Sequence, residues 1–124
     1  MTATALHSEV QHLQSSNHRT VLVLSLTGAI DLANSSELQA EIRELLTEGR
    51  PARVIVDLSK VAHIDSSGIG ALLEGLERAN QMHVSFILCG LNPAIQRILE
   101  RTRLNFVFDI RRTVTEGLKI EEMC

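Results

Sequence analysis

The stretch Arg53-Val54-Ile55-Val56-Asp57-Leu58 continues through Ser59 to Ile64 into Asp65-Ser66-Ser67-Gly68, after which Ile69, Leu72, Leu73 and Leu76 recur. The first run is β-branched and apolar, as a strand requires, and the later leucines fall at helical spacing. Asp65-Ser66-Ser67-Gly68 therefore lies where a strand hands over to a helix of about Ser67 to Gln81, and Ser66 stands at or just before that helix's N-terminus. Such an end exposes unpaired backbone N–H groups and carries roughly half a positive charge, so it tolerates an anion on a nearby side chain. Two readings stay open. Ser and Asp are common N-caps and Gly is common at tight turns; equally, an exposed hydroxyl here could carry a phosphoryl group. Two successive hydroxyls allow both, one capping while the other stays free.

Upstream, Leu6 to Leu13 alternates loosely, Ser15-Ser16-Asn17-His18 is turn-like, and Thr20 to Thr27 is strongly strand-forming, which predicts a hairpin. Gly28 interrupts the run and Asp31 follows near its end. From Asn34 or Ser35, either suited to capping, an amphipathic helix runs through Leu38, Ile42, Leu45 and Leu46 and ends at Gly49 and Pro51. Downstream, His83 to Cys89 is a nearly all-apolar strand, expected to be covered on both faces. Gly90-Leu91-Asn92-Pro93 offers a turn, a cap and a first-turn proline. A helix with Ile95, Ile98 and Leu99 on one face follows, then a short strand over Asn105 to Ile110 and a terminal helix from Thr113 to about Glu122 with Val114 and Leu118 inward. The order β-β-α-β-α-β-α-β-α predicts an α/β fold: a mixed, mostly parallel sheet of about five strands with an N-terminal antiparallel hairpin and four helices. Sites in such sheets gather at the carboxyl ends of strands, where Asp31 and Asp65-Ser66-Ser67 both lie.

At 124 residues the chain has the size of one domain, and a single domain over 1–124 is expected, with its core at about 19–118. Hydrophobic residues make up 44% and charged ones 22%, and the longest apolar run is too short to cross a bilayer. The N-terminus lacks a basic start and a long apolar stretch, so a cytoplasmic protein is expected. Cys89 and Cys124 have neither disulfide-framework nor zinc spacing, and the five scattered histidines suggest no metal site. A net charge of −3, no Trp or Tyr and only three Phe argue against direct nucleic-acid binding. No cofactor is expected, and a monomer is the expected state.

Leu26-Thr27-Gly28-Ala29-Ile30-Asp31, Val54-Ile55-Val56-Asp57-Leu58-Ser59, Ile64-Asp65-Ser66-Ser67-Gly68-Ile69-Gly70 and Asn92-Pro93 with Leu99-Glu100-Arg101-Thr102 stand in this order over roughly Arg19 to Leu118. In this order they resemble the STAS domain family, and within it the small single-domain anti-sigma factor antagonists. The resemblance implies the STAS fold and a binding protein rather than an enzyme. It implies that Ser66 is phosphorylated by a partner anti-sigma factor that is also a serine kinase, that Ser67 supports it, and that Asp31, Asp65 and Gly68 share the partner-binding surface. It also implies that a serine phosphatase reverses the modification. Two residues depart from the family pattern: Ala29, where an acidic residue is frequent, and Arg103, where Thr-Gly-Leu is usual. The second exchange implies strain in a left-handed cap.

Other functions share some of these features. A serine nucleophile on a strand-to-helix turn would suggest a hydrolase, but Gly-x-Ser-x-Gly is absent and neither His63 nor His83 has an evident orienting acid. Gly68-Ile69-Gly70 is too short for a dinucleotide fingerprint and lacks a P-loop lysine. A STAS subunit of a membrane transporter or of a larger signalling assembly is the alternative on the same fold.

Overall fold

The computed structural model describes residues 6–15 and 18–119. Five strands lie side by side in sequence order: β1 (His7–Gln14), β2 (Thr20–Ile30), β3 (Arg53–Ile64), β4 (Ser85–Cys89) and β5 (Asp109–Arg111). β1 pairs with β2 antiparallel, from His7 opposite Thr27 to Gln14 opposite Thr20. The other three pairings are parallel. The helices are α1 (Ser35–Gly49), α2 (Ser66–Gln81), α3 (Pro93–Arg101) and α4 (Val114–Leu118). The architecture agrees with the mixed five-stranded sheet and four helices expected from the sequence.

Side-chain alternation along the central strands divides the core in two. Leu22, Leu24, Val54, Val56, Phe86 and Leu88 face one side, where Leu38 and Ile42 of α1, Leu72 and Leu76 of α2, and Ile95 and Leu99 of α3 cover them. Val21, Val23, Ile55, Ile87 and Cys89 face the other side, against Val114 and Leu118 of α4. β4 is thus covered on both faces, as its apolar run predicts. Arg53 points to the α4 side and is only 2% exposed. Its Nη1 donates to the carbonyls of Gly117 (2.8 Å) and Leu118 (3.1 Å), fastening the end of the shortest helix to the sheet. A cation at a helix C-terminus is also favoured by the exposed carbonyls there.

Several boundaries differ from the sequence reading. β3 does not end near Leu58 but runs to Ile64, paired over its last part with β2 alone. Shifts of register opposite Ser25 to Thr27 and opposite Gly28 to Ala29, where β3 each time runs one residue more than β2, mark bulges in β3, and Gly28 takes φ +117° within its strand rather than ending it. β4 starts at Ser85, because His83 turns left-handed (φ +60°) after α2. At the end of α1 the left-handed residue is Arg50 and Gly49 is the last helical one; a Cβ on Gly49 would lie 2.9 Å from Leu22 Cδ1.

The strand expected over Asn105 to Ile110 is instead a 3₁₀ turn (Leu104–Phe106) followed by β5 at Asp109–Arg111. Arg103, at φ +62°, sets up that turn, so the left-handed conformation foreseen at this position is present and is held by an arginine. Thr113 caps α4, its hydroxyl accepting from Glu116 N at 3.2 Å, and the helix ends at Leu118 with Lys119 as its C-cap, while residues 120–122 of the expected terminal helix and Cys124 lie outside the described residues. Among the described residues no helix is long and apolar enough to cross a membrane.

Candidate functional site

The site lies where β2 and the extension of β3 end together. Lys60, Val61, His63 and Ile64 pair with Thr27, Gly28, Ala29 and Ile30. On the opposite edge of the extension Asn92 donates from Nδ2 to the carbonyls of Val61 (3.0 Å) and Ala62 (3.3 Å), while its Oδ1 caps α3 by accepting from Ile95 N at 2.9 Å. A side chain chosen for a helix cap therefore also holds the strand that carries the site.

Asp65, not a serine, caps α2. Its Oδ1 accepts from Gly68 N (3.0 Å) and from the Ser67 hydroxyl (2.7 Å). These bonds favour the ionised carboxylate, so Asp65 sits below the usual carboxylate range: the Ser67 hydroxyl contributes most and the Gly68 N–H next. Partial burial opposes them, and the backbone N–H groups of Leu32 and Ser67 add to the lowering. Ser66 is then the first residue of α2, one earlier than the sequence reading set the helix start. It is exposed, and its hydroxyl hydrogen-bonds to no described residue. The ambiguity between cap and free hydroxyl resolves by division of labour. Asp65 caps, Ser67 is locked to it, and Ser66 is free.

Gly68 is buried because the two strand ends meet on it. A Cβ there would lie 2.6 Å from Ile64 Cγ1, 2.7 Å from Ile30 Cγ2 and 2.9 Å from the Ile30 carbonyl oxygen. That same carbonyl accepts from Asp65 N at 3.1 Å, joining the loop after β2 to the loop after β3. Asp31, expected at the partner surface, spends its carboxylate on its own loop: Oδ1 accepts from Ala33 N at 3.0 Å. Asn34 occupies the capping position of α1 without capping it. Its Oδ1 accepts from Asp31 N (3.0 Å) and its Nδ2 donates to the Ala29 carbonyl (2.9 Å), so it organises the loop instead.

The structure brings Asp65, Ser66, Ser67 and Gly68 together and sets the Asp31 loop beside them through Ile30 and Leu32. Sequence reasoning missed Ile30, Leu32 and Asn34. Leu32 carried a usable signal, an apolar residue in a polar connection, and it is 78% exposed. On the sheet below, Cys89 is buried, and that burial, with Asp57 adding its charge, pushes its thiol up to about 12. It takes no part in the loop chemistry.

Fold and site together define an α/β domain that presents a free serine hydroxyl at a strand-to-helix junction. The chain belongs to the STAS domain family, whose model matches residues 12–117. It is 26% identical over 92 residues to an anti-sigma F factor antagonist of Paenibacillus polymyxa, covering 74% of this chain and 79% of that protein. With the anti-sigma-F factor antagonist RsfB of Mycobacterium tuberculosis it shares 28% identity over 102 residues, 82% of each chain. The crystal structure of an anti-sigma factor antagonist from Mycobacterium paratuberculosis matches with a TM-score of 0.80 over 93% of this chain and 92% of that one, at 23% identity, a likeness of fold.

Proposed function

We propose that this protein is an anti-sigma factor antagonist switched by phosphorylation of Ser66. Unmodified, the surface around Ser66 binds an anti-sigma factor that is also a serine kinase, and the sigma factor it held is released. Phosphorylated, the surface no longer binds. A serine phosphatase restores it. The protein is the kinase's substrate and not itself an enzyme, and it acts as a cytoplasmic monomer through protein contacts, without touching nucleic acid or membrane.

The observation that carries this reading is the free, exposed Ser66 hydroxyl between a capping Asp65 and an immobilised Ser67. The relatives named as antagonists point the same way. A phosphoryl group adds about −1.5 to −2 charges at a helix N-terminus that tolerates an anion. Against one partner carboxylate at about 5 Å and an effective dielectric of about 20, a doubly charged group is disfavoured by roughly 6 to 7 kcal/mol before screening. Even about a third of that weakens binding more than tenfold. Asp65 and Asp31 give the surface its acidic setting, and no large rearrangement is needed.

The test is incubation with the cognate kinase and ATP. Wild type takes up one phosphate and Ser66→Ala none, while Ser66→Asp binds the anti-sigma factor at least tenfold more weakly. Undiminished labelling of Ser66→Ala would refute the assignment.

A further inference from the structure

Helix α2 contains three glycines, and two of them have a reason inside the fold. Gly68 meets Ile30 and Ile64, and a Cβ on Gly75 would lie 2.9 Å from Ile42 Cγ2 and 3.1 Å from Phe86 Cζ. Gly70 has none. Beyond its own turn of helix, a Cβ there meets no atom of the described residues within 4 Å, the residue is exposed, and it is not among the glycines of positive φ. Alanine is the better helix former at such a position, so the missing side chain has no explanation among the described residues. Gly70 stands four residues after Ser66, one turn along the same face of α2.

Leu32 stands beside Asp65, the residue that precedes the same serine. A single exposed leucine is ordinary, but this one is 78% exposed in a loop fixed by the Asp31 and Asn34 hydrogen bonds, and its backbone N–H is felt by the Asp65 carboxylate. An apolar side chain held out on a rigid support gives up little freedom when it is covered.

The geometry points to a docking footprint that reaches from Ser66 in two directions: the partner's backbone closes onto the bare helix at Gly70, and an apolar socket of the partner receives Leu32. The occupant is the kinase that modifies Ser66, so the inference rests on the function proposed above. Phosphoryl transfer supplies the argument for it. The donor phosphate must come to about 3 to 3.5 Å from the Ser66 oxygen, in line with the bond that breaks. A protein that delivers it there must cover the first turns of α2, and a side chain at Gly70 would hold it off. The hydroxyl oxygen forms the new bond to phosphorus, its proton leaves to a base on the kinase, and ADP departs with the bridging oxygen.

Affinity for the cognate kinase and thermal stability are measured for wild type, Gly70→Ala, Gly70→Leu, Leu32→Ala and Ser66→Asp. Gly70→Ala should melt about 3 to 5 °C higher yet bind about tenfold more weakly. Gly70→Leu should bind more weakly still, and Leu32→Ala about tenfold or more weakly with its melting temperature unchanged. Should Gly70→Leu not fold, Gly70→Ala carries the test, since it adds one methyl to open space. Binding within about twofold of wild type in the Gly70 and Leu32 variants, with Ser66→Asp still impaired, overturns the footprint and leaves the Ser66 assignment standing. Binding that Ser66→Asp does not impair overturns both.

Discussion

Replacing Gly68 by alanine tests whether the two strand ends are truly closed on α2. The new methyl would be placed 2.6 Å from Ile64 Cγ1, 2.7 Å from Ile30 Cγ2 and 2.9 Å from the Ile30 carbonyl oxygen. Ile30 and Ile64 are themselves fully buried, and the carbonyl belongs to backbone already bonded to Asp65, so none of the three can yield without moving a strand end. Overpacking of this kind destabilises by about 1 to 3 kcal/mol, and three immovable contacts place it near the top of that range. Better helix propensity returns about 1 kcal/mol. The net loss is about 2 kcal/mol. At Gly70 the same substitution meets open space and keeps only the gain of about 1 kcal/mol. Two glycines two positions apart in one helix should therefore respond with opposite signs, separated by about 3 kcal/mol. Urea unfolding followed by circular dichroism, extrapolated linearly to water, measures both. A Gly68→Ala stability within about 0.5 kcal/mol of wild type would refute the close approach of α2 to Ile30 and Ile64.

Arg103→Gly should stabilise by about 1 kcal/mol, because it relieves a left-handed non-glycine residue and loses part of that gain to a freer unfolded chain; a melting temperature at or below wild type would contradict this. Asp65, with its carboxyl held low in the folded state, contributes stability in full above the ordinary carboxylate pKa and loses it as pH falls through the lowered value. The stability difference between wild type and Asp65→Asn should accordingly shrink on acidification, and a difference that grows toward low pH would reverse the sign of the argument. The Cys89 thiol, pushed up to about 12 and fully buried, should resist a thiol-disulfide reagent at pH 8 in folded Cys124→Ser and react at the rate of unfolding; immediate reaction would show that it is not shielded.

Much of this was legible because periodicity and cap chemistry are local. The runs at Thr20 to Thr27 and Arg53 to Leu58, the leucines of α2, and Asn92-Pro93 at the start of α3 each announce their element through nearest neighbours. The extension of β3 was not. Leu58, Val61 and Ile64 are buried with exposed pairs between them, a period of three that resembles no strand, because β3 bulges twice, carrying an extra residue each time as the two strands run on together. Phe106-Val107-Phe108 has strand composition, yet only Phe108 is buried, since the turn begun by Arg103 takes up this segment before β5 pairs with β4.

By itself the sequence determined that a serine pair follows an aspartate at a strand-to-helix junction, because a strand's composition and a helix's spacing are written within a few residues of it. It could not decide which of Asp65, Ser66 and Ser67 caps the helix, since all three have the chemistry to do so. Tertiary structure made that choice. Ile30 fixes Asp65 through its carbonyl and excludes a side chain at Gly68, which aims the carboxylate at Gly68 N and the Ser67 hydroxyl and leaves Ser66 facing outward. The orientation of a side chain at a helix start depends on what the preceding strand is packed against, and that contact comes from β2, more than thirty residues away in the chain.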